Sequence, residues 1–331
     1  FVSHDETLIE NTANVIIHLE QIMRKTRPRH TSVRMPYRKY ISSREAAFER
    51  QEQLAQNERR EYRKQMERFR QIEQRVEAMQ NGISRQDPHG GRLLKKKMKA
   101  VKSQEHRFER EKEDMTQAPD MEKAIFVKIT PETRIPNGKI VLDYTQETLS
   151  AGGRVLASHI SLRIAGPEKI CIVGRNGAGK TTLLKQIAAL LLSRPDLKAA
   201  YMPQDYEELL NMDQNPVEFL SAKGDKAEQT MIRTYLGSMR YTADEMSHCI
   251  RELSGGQKAK LLFLKMSLDG CNVLILDEPT RNFSPLSGPV IRQVLKSFDG
   301  AIISISHDRK YIGEVVSAVY ELTENGLYRR V

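Results

Sequence analysis

The segment Gly174-Arg-Asn-Gly-Ala-Gly-Lys-Thr181 fits the pattern G-x-x-x-x-G-K-[ST], between the apolar run Lys169-Ile-Cys-Ile-Val173 and the apolar-faced stretch from Thr181 to Leu192. Strand, tight loop and helix in that order frame a phosphate-binding loop. Glycines let the backbone close around a polyphosphate, so that loop amides and the positive end of the helix dipole face the anion. Gly174, Arg175, Asn176, Gly177, Ala178 and Gly179 are expected to form the cradle, with Lys180 reaching the terminal phosphates and Thr181 and Thr182 opening the helix. Thr181 is the expected Mg²⁺ ligand of this loop.

Two further apolar runs end in polar groups. Asn272-Val-Leu-Ile-Leu276 leads into Asp277-Glu278, and Ala301-Ile-Ile-Ser-Ile305 leads into Ser306-His307-Asp308. Strand ends are where α/β sheets gather their ligand groups. Asp277 is expected to orient the metal, Glu278 to polarise an attacking water, and His307 to sense the terminal phosphate.

The stretch Leu253-Ser-Gly-Gly-Gln-Lys-Ala-Lys-Leu261 places a serine and two glycines ahead of a helix, a second anion site with no catalytic group of its own. Here the chain resembles the ATP-binding cassette superfamily, whose signature is LSGGQ and whose paired cassettes sandwich two ATP molecules head to tail. The resemblance implies that Ser254, Gly255, Gly256 and Gln257 serve a nucleotide held by an opposite cassette. It also implies that Gln204, in Tyr201-Met-Pro-Gln204, touches the Mg²⁺. No aromatic residue stands at Ser150 to Gly153, where the family usually stacks the adenine.

The chain starts Phe1-Val-Ser-His-Asp5, repeating Ile305-Ser-His-Asp308 at an offset of 303 residues; Ile9 then matches Ile312 and Leu19 matches Leu322. Residues 1–23 are therefore expected to be the tail of a first, truncated cassette, residues 24–119 a connector, and residues 120–331 a complete second cassette. The opposite half-site would come from the missing first cassette, or from a second copy in a head-to-tail homodimer. Without either, weak ATPase activity is expected.

No apolar run reaches 18 residues and the polar start does not read as a signal peptide, so no membrane partner is expected. Cys171, Cys249 and Cys271 are odd in number and widely spaced, which favours a reducing compartment over a disulfide framework or a zinc site. The expected location is cytoplasmic.

The formal net charge is +10, and it is concentrated. Arg24 to Tyr40 holds seven Lys or Arg and no acidic residue, and Ser84 to Lys102 holds seven against Asp87 alone. Between them Phe48, Ala55, Tyr62, Phe69, Val76 and Ile83 recur every seven residues, with Met66, Ile72 and Met79 in alternate steps; Leu94, Val101, Phe108 and Met115 repeat the spacing. This predicts helices over about Ser42 to Gly82 and Gly91 to Met115, broken by Asp87-Pro-His-Gly-Gly91 and paired as an antiparallel coiled-coil hairpin. Its tip, near residues 84–91, would present Arg85, Arg92, Lys95, Lys96, Lys97, Lys99 and Lys102 to a polyanion, RNA above all. The expected fold is α/β: a P-loop ATP-binding cassette with a helical subdomain, preceded by that α-helical hairpin.

Two cassettes joined by a charged helical hairpin resemble the ABC-F family. What the family implies is an ATPase that binds the ribosome at the tRNA exit site, its hairpin approaching P-site tRNA and ribosomal RNA near the peptidyl-transferase centre. The segment Asp277-Glu-Pro-Thr-Arg-Asn-Phe-Ser284 departs from the family's usual DEPTNHLD at Arg281, Asn282 and Ser284, and is similar to the branch that protects ribosomes from antibiotics. A housekeeping translation factor of the family and the motor of a membrane transporter remain alternatives. A chromosome-handling ATPase is disfavoured, since such proteins insert their coil between phosphate loop and signature, and only 74 residues separate Lys180 from Ser254.

Overall fold

The computed structural model describes residues 1–3, 5–22, 27–81, 95–101, 103, 105–108, 110, 115–116 and 128–330. The chain divides into two compact units, Asn14–Met121 and a larger one formed by Phe1–Ala13 with Glu122–Val331.

In the smaller unit, β1 (Ile16–Ile22) and β2 (Arg27–Val33) form an antiparallel hairpin, followed by the 45-residue helix α2 (Tyr37–Asn81), roughly 67 Å long at 1.5 Å per residue. The helix starts five residues before the predicted Ser42. Tertiary contacts fix that first turn: Tyr37 and Tyr40 are buried, the Tyr40 hydroxyl lies 2.7 Å from His18 Nδ1 on β1, and Arg44 pairs with Glu20. The boundary expected at residue 23 falls inside this hairpin, because Ile22 on β1 pairs with Arg27 on β2.

A returning arm is helical over residues 95–101 and 105–108. Phe69, Val76 and Val101 bury one another, with Met66, Met98 and Phe108 packed around them. Phe69 and Tyr62 both meet the Phe108 ring edge-on, and Thr116 N–H donates to Glu58 at 2.6 Å. Partners thus rise on one arm as they fall on the other, an antiparallel pairing. Ile72 and Met79, expected in the seam, are 48% and 55% exposed. An i+3 row lies on the flank of a two-helix seam, and here one heptad row carries the burial. Ile83, Leu94 and the turn between the arms lie outside the described residues.

The larger unit is built on a six-stranded sheet of order β10-β9-β5-β8-β7-β6. Its strands are β5 (Lys169–Gly174), β6 (Ala199–Met202), β7 (Val273–Asp277), β8 (Ala301–Ile305), β9 (Ala318–Thr323) and β10 (Gly326–Arg330). All pairs are parallel except β9 with β10. Such sheets are covered on both faces, which explains why β7 and β8 are buried at every residue. On one face lie α3 (Lys180–Leu192) and the antiparallel pair β3 (Ile140–Ala151) and β4 (Arg154–Ala165). On the other lie α6 (Gly255–Leu268), α7 (Gly288–Lys296) and α8 (Arg309–Val315), with α4 (Pro216–Leu220) and α5 (Lys226–Ser238) as a helical subdomain.

The repeat at the start of the chain is also a local structural repeat. Helix α1 (Glu6–Thr12) is capped by Asp5 at φ −77°, ψ 105°, as α8 is capped by Asp308 at φ −75°, ψ 107°; each is followed by an antiparallel strand pair. Helix α1 belongs to the larger unit through a buried charge cluster: Arg292 donates to Glu6 at 2.9 Å and to Glu314 at 2.9 Å, while Lys310 reaches Glu6 at 2.7 Å and Glu10 at 2.6 Å. Arg292 is 4% exposed. Removing one member of a buried pair leaves the other uncompensated, so Arg292→Leu should destabilise the larger unit by roughly 3–5 kcal/mol in denaturant unfolding. The double variant Glu6→Leu, Arg292→Leu should recover much of that loss; simple additivity of the two single effects would refute the pairing as its source.

Candidate functional site

Four strand ends converge. In register, Ile172 of β5 faces Ile305 of β8, Ile305 faces Asp277 of β7, and Leu276 faces Met202 of β6. The segments that follow, carrying Gly174, His307, Glu278 and Gln204, therefore leave the same edge of the sheet, where α/β proteins bind ligands.

The loop after β5 depends on two glycines in particular. A Cβ on Gly174 would lie 2.6 Å from the Leu322 carbonyl oxygen of the neighbouring strand. Gly179, at φ 94°, caps α3 in the left-handed region and is pressed by Leu149 and Leu156 of the β3–β4 pair. A side chain at either position would spread the loop. Arg175, Asn176, Gly177 and Ala178 complete the turn, and Thr182 follows Thr181 on the first turn of α3.

The Lys180 ammonium is buried, donating to Gly174 O and Arg175 O at 2.9 Å each. Desolvation lowers its pKa, opposed by Glu278 and Asp277. Asp277 is buried, and burial raises its pKa against a hydrogen bond from Thr181 and the charge of Lys180. Its Oδ2 has no hydrogen-bond partner. That orphaned oxygen, on a carboxylate hydrogen-bonded to Thr181, which with Gln204 lines a 390 Å³ cavity, fits a hard divalent cation with oxygen ligands. Among the described residues no three His, Cys, Asp or Glu cluster as metal ligands, so a cation here would take its remaining ligands from phosphates and water.

Glu278 stands at φ 52°, an unusual conformation for a non-glycine residue, locked by its N–H bond to Ile305 O at 2.9 Å. Its carboxyl is pushed up to about 7, first by burial and further by Asp277, against the N–H of His307, which donates to Oε2 at 3.3 Å. His307 Nε2 lies 3.7 Å from Glu278 Oε1, and desolvation with the charge of Lys180 lowers the imidazole pKa.

Ser254 caps α6 in a reciprocal box with Gln257: Ser254 N–H donates to Gln257 Oε1 at 2.9 Å, and Gln257 N–H to Ser254 Oγ at 3.4 Å. A Cβ on Gly256 would meet the Asn282 carbonyl oxygen at 2.8 Å, and Gly255 also lies beside Asn282. No residue of Leu253–Gln257 lines the Thr181 cavity, although Gly255 and Gly256 pack against Asn282, which does. Residues that sequence reasoning did not assign to the site also line the cavity: Lys185, Asp205, Glu208, Arg281 and Asn282. Arg281 and Asn282 had one signal, their departure from the family pattern; Lys185, Asp205 and Glu208 had none.

Ser150 to Gly153, where no aromatic residue occurs, comprise the end of β3 and the Gly152-Gly153 turn into β4. In the smaller unit Lys95, Lys96, Lys97 and Lys99 are exposed on the returning helix, while Arg85, Arg92 and Lys102 lie outside the described residues. The three cysteines are free, Cys171 and Cys271 buried and Cys249 exposed. Among the described residues no helix is long and apolar enough to cross a membrane.

Residues 157–281 match the family model described as ABC transporter. Over 98% of its length it is 26% identical to ABC transporter F family member 2 of Arabidopsis thaliana, and over 96% it is 25% identical to the probable ATP-binding protein YheS of Escherichia coli. It is 26% identical over its whole length to the ribosome protection protein VmlR of Bacillus subtilis. The chain spans 45%, 47% and 60% of these relatives, about half their length. Among solved structures, a dimeric ATP-binding cassette bound to ADP and Pi aligns with 56% of the chain and 96% of its own length, at TM-score 0.47 and 17% identity.

The Glu278 pKa sets a sign for stability. Because the folded value, about 7, exceeds the ordinary 4.5, the folded chain holds the proton more tightly, and this contribution is present at low pH and lost as pH rises through the window 4.5 to 7. Glu278→Gln should therefore raise the thermal midpoint relative to the parent at pH 8, with a ceiling of about 3 kcal/mol, and the gap should close towards pH 4.5. A gap independent of pH would assign the effect to something other than this ionisation.

Proposed function

We propose that the chain is the connector and one cassette of an ATP-hydrolysing factor that acts on the ribosome. The observation that carries this reading is a single chain in which the segment matching the ABC transporter family model follows antiparallel paired helices with exposed lysines, and whose whole length aligns with 60% of a ribosome protection protein.

In the hydrolytic step the loop amides and Lys180 hold the β- and γ-phosphates; Lys180 exchanges its two carbonyl partners for phosphate oxygens. Thr181, Gln204 and Asp277 are the residues that would hold Mg²⁺, whose charge offsets that of the phosphates. Glu278, poised near neutrality, takes a proton from the attacking water, and the 3.7 Å separation keeps His307 close enough to follow the charge on Glu278 and on the terminal phosphate. Ser254, Gly255, Gly256 and Gln257 sit outside this cavity, so they complete the site of an opposite cassette. Such a cassette would belong to a longer form of the same polypeptide, whose tail residues 1–23 would be, or to a second copy. ATP then closes the pair, and hydrolysis opens it.

The closed form binds the ribosome, and the helical arms reach towards P-site tRNA and ribosomal RNA near the peptidyl-transferase region. Protection against antibiotics is the more specific role, supported by the variant segment Arg281-Asn-Phe-Ser284 and the similarity to VmlR. A housekeeping translation factor would use the same parts.

Glu278→Gln should increase the ATP-dependent fraction of protein that cosediments with ribosomes, because closure persists without hydrolysis; a fraction equal to the parent's would refute hydrolysis-linked release. Replacing Lys95, Lys96, Lys97 and Lys99 with Gln should also weaken ribosome binding. If each contacts one phosphate, the slope of log affinity against log salt should fall by roughly 3. An unchanged slope would reduce these lysines to a solvated face.

A further inference from the structure

The cavity beside Thr181 and Gln204 has an uneven set of charges. Lys185 is committed to Glu208, at 2.8 and 3.0 Å from its two oxygens. Arg281 lines the same cavity, and among the described residues its guanidinium has neither a hydrogen bond nor an ion-pair partner. Its backbone is nevertheless anchored. Arg281 N–H donates to Glu278 O at 3.1 Å, closing a turn on the constrained residue 278, and the next residue, Asn282, is wedged against Gly255 and Gly256. The cation is thus fixed at its root and uncommitted at its end.

Of the three residues that would hold a divalent cation, Thr181 and Gln204 are neutral and Asp277 carries one charge. A guanidinium facing the same small space acts on the equilibrium twice. It raises the electrostatic work of placing a second cation beside Asp277, and it offers a fork of donors suited to phosphate oxygens. Both effects shift charge neutralisation of a bound polyphosphate from the metal to the protein.

We propose that Arg281 contacts the nucleotide phosphates and takes over part of the neutralisation otherwise left to Mg²⁺, so that this cassette binds ATP with weak dependence on the metal. The inference rests on the reading of the cavity as an ATP site. The test measures the dissociation constant of a fluorescent ATP analogue for the full chain, with Mg²⁺ and with EDTA, in the parent, Arg281→Asn and Arg281→Gln. Both substitutions are at an exposed side chain, and both remove the charge and the guanidinium fork while keeping a polar amide.

Loss of a charge-assisted contact corresponds to about tenfold or more, so EDTA should weaken binding by the two variants about tenfold more than it weakens the parent. Equal ratios of affinity with and without Mg²⁺ in all three proteins would overturn the proposal. A Lys180→Ala chain that binds the analogue as tightly as the parent in both buffers would instead overturn the ATP-site reading beneath it.

Discussion

The parallel register of β5, β8, β7 and β6 is the constraint from which the site follows. Shifting one of these strands by a single residue would turn its buried side chains to the opposite face and move its terminal loop by about 3.3 Å. Neither change is tolerated, because β7 and β8 are buried at every residue, mostly apolar, and packed on both faces. A buried Leu or Ile side chain contributes about 1.5–3 kcal/mol, so the two cores hold the register far more firmly than the loops could. The loops then have little freedom. Gly174 is pinned beside Leu322 O, and Glu278 beside Ile305 O.

That rigidity lets the larger unit keep two carboxylates and an ammonium in a confined space. Asp277 and Glu278 are consecutive, largely buried and of like charge, which alone would favour protonation of one of them. Lys180 opposes this, but it is itself desolvated and held by two carbonyl oxygens rather than by either carboxylate. The compromise divides the pair. Asp277 keeps a hydrogen bond from Thr181 and an unpartnered oxygen, the chemistry of a metal ligand, whereas Glu278 titrates near neutrality, the chemistry of a base. Burial raises both carboxyls, and their different hydrogen-bond partners, Thr181 for Asp277 and the His307 N–H for Glu278, set them apart.

Much of this was legible in the sequence because it is written in short contiguous signals. Lys169 to Val173 and Asn272 to Leu276 announce buried strands by unbroken apolar runs, and the loops after them carry their residues at fixed spacing. The seven-residue repeat likewise revealed the antiparallel arms, and it named Phe69, Val76, Val101 and Phe108 correctly as the seam. What escaped depends on distant partners. The early start of α2 is set by Tyr40 against His18, not by a capping residue, and the pairing of β1 with β2 hides under a charged stretch rich in Arg. Arg292 and Glu6 are 286 residues apart, and no periodicity links them.

That pair shows how one local design can serve two purposes. Helices α1 and α8 share an Asp cap with nearly the same backbone angles, yet the position that is Glu6 in α1 is Arg309 in α8, at the 303-residue offset of the repeat. The surface formed by Arg292 and Lys310 is matched to the acidic member of the pair. A copy of α8 seated there would bring Arg309 against Arg292 and Lys310, a juxtaposition of buried like charges that costs far more than the ion pairs gain. Repetition therefore supplied the shape, and charge reversal at one position made the two versions of that shape complementary rather than interchangeable.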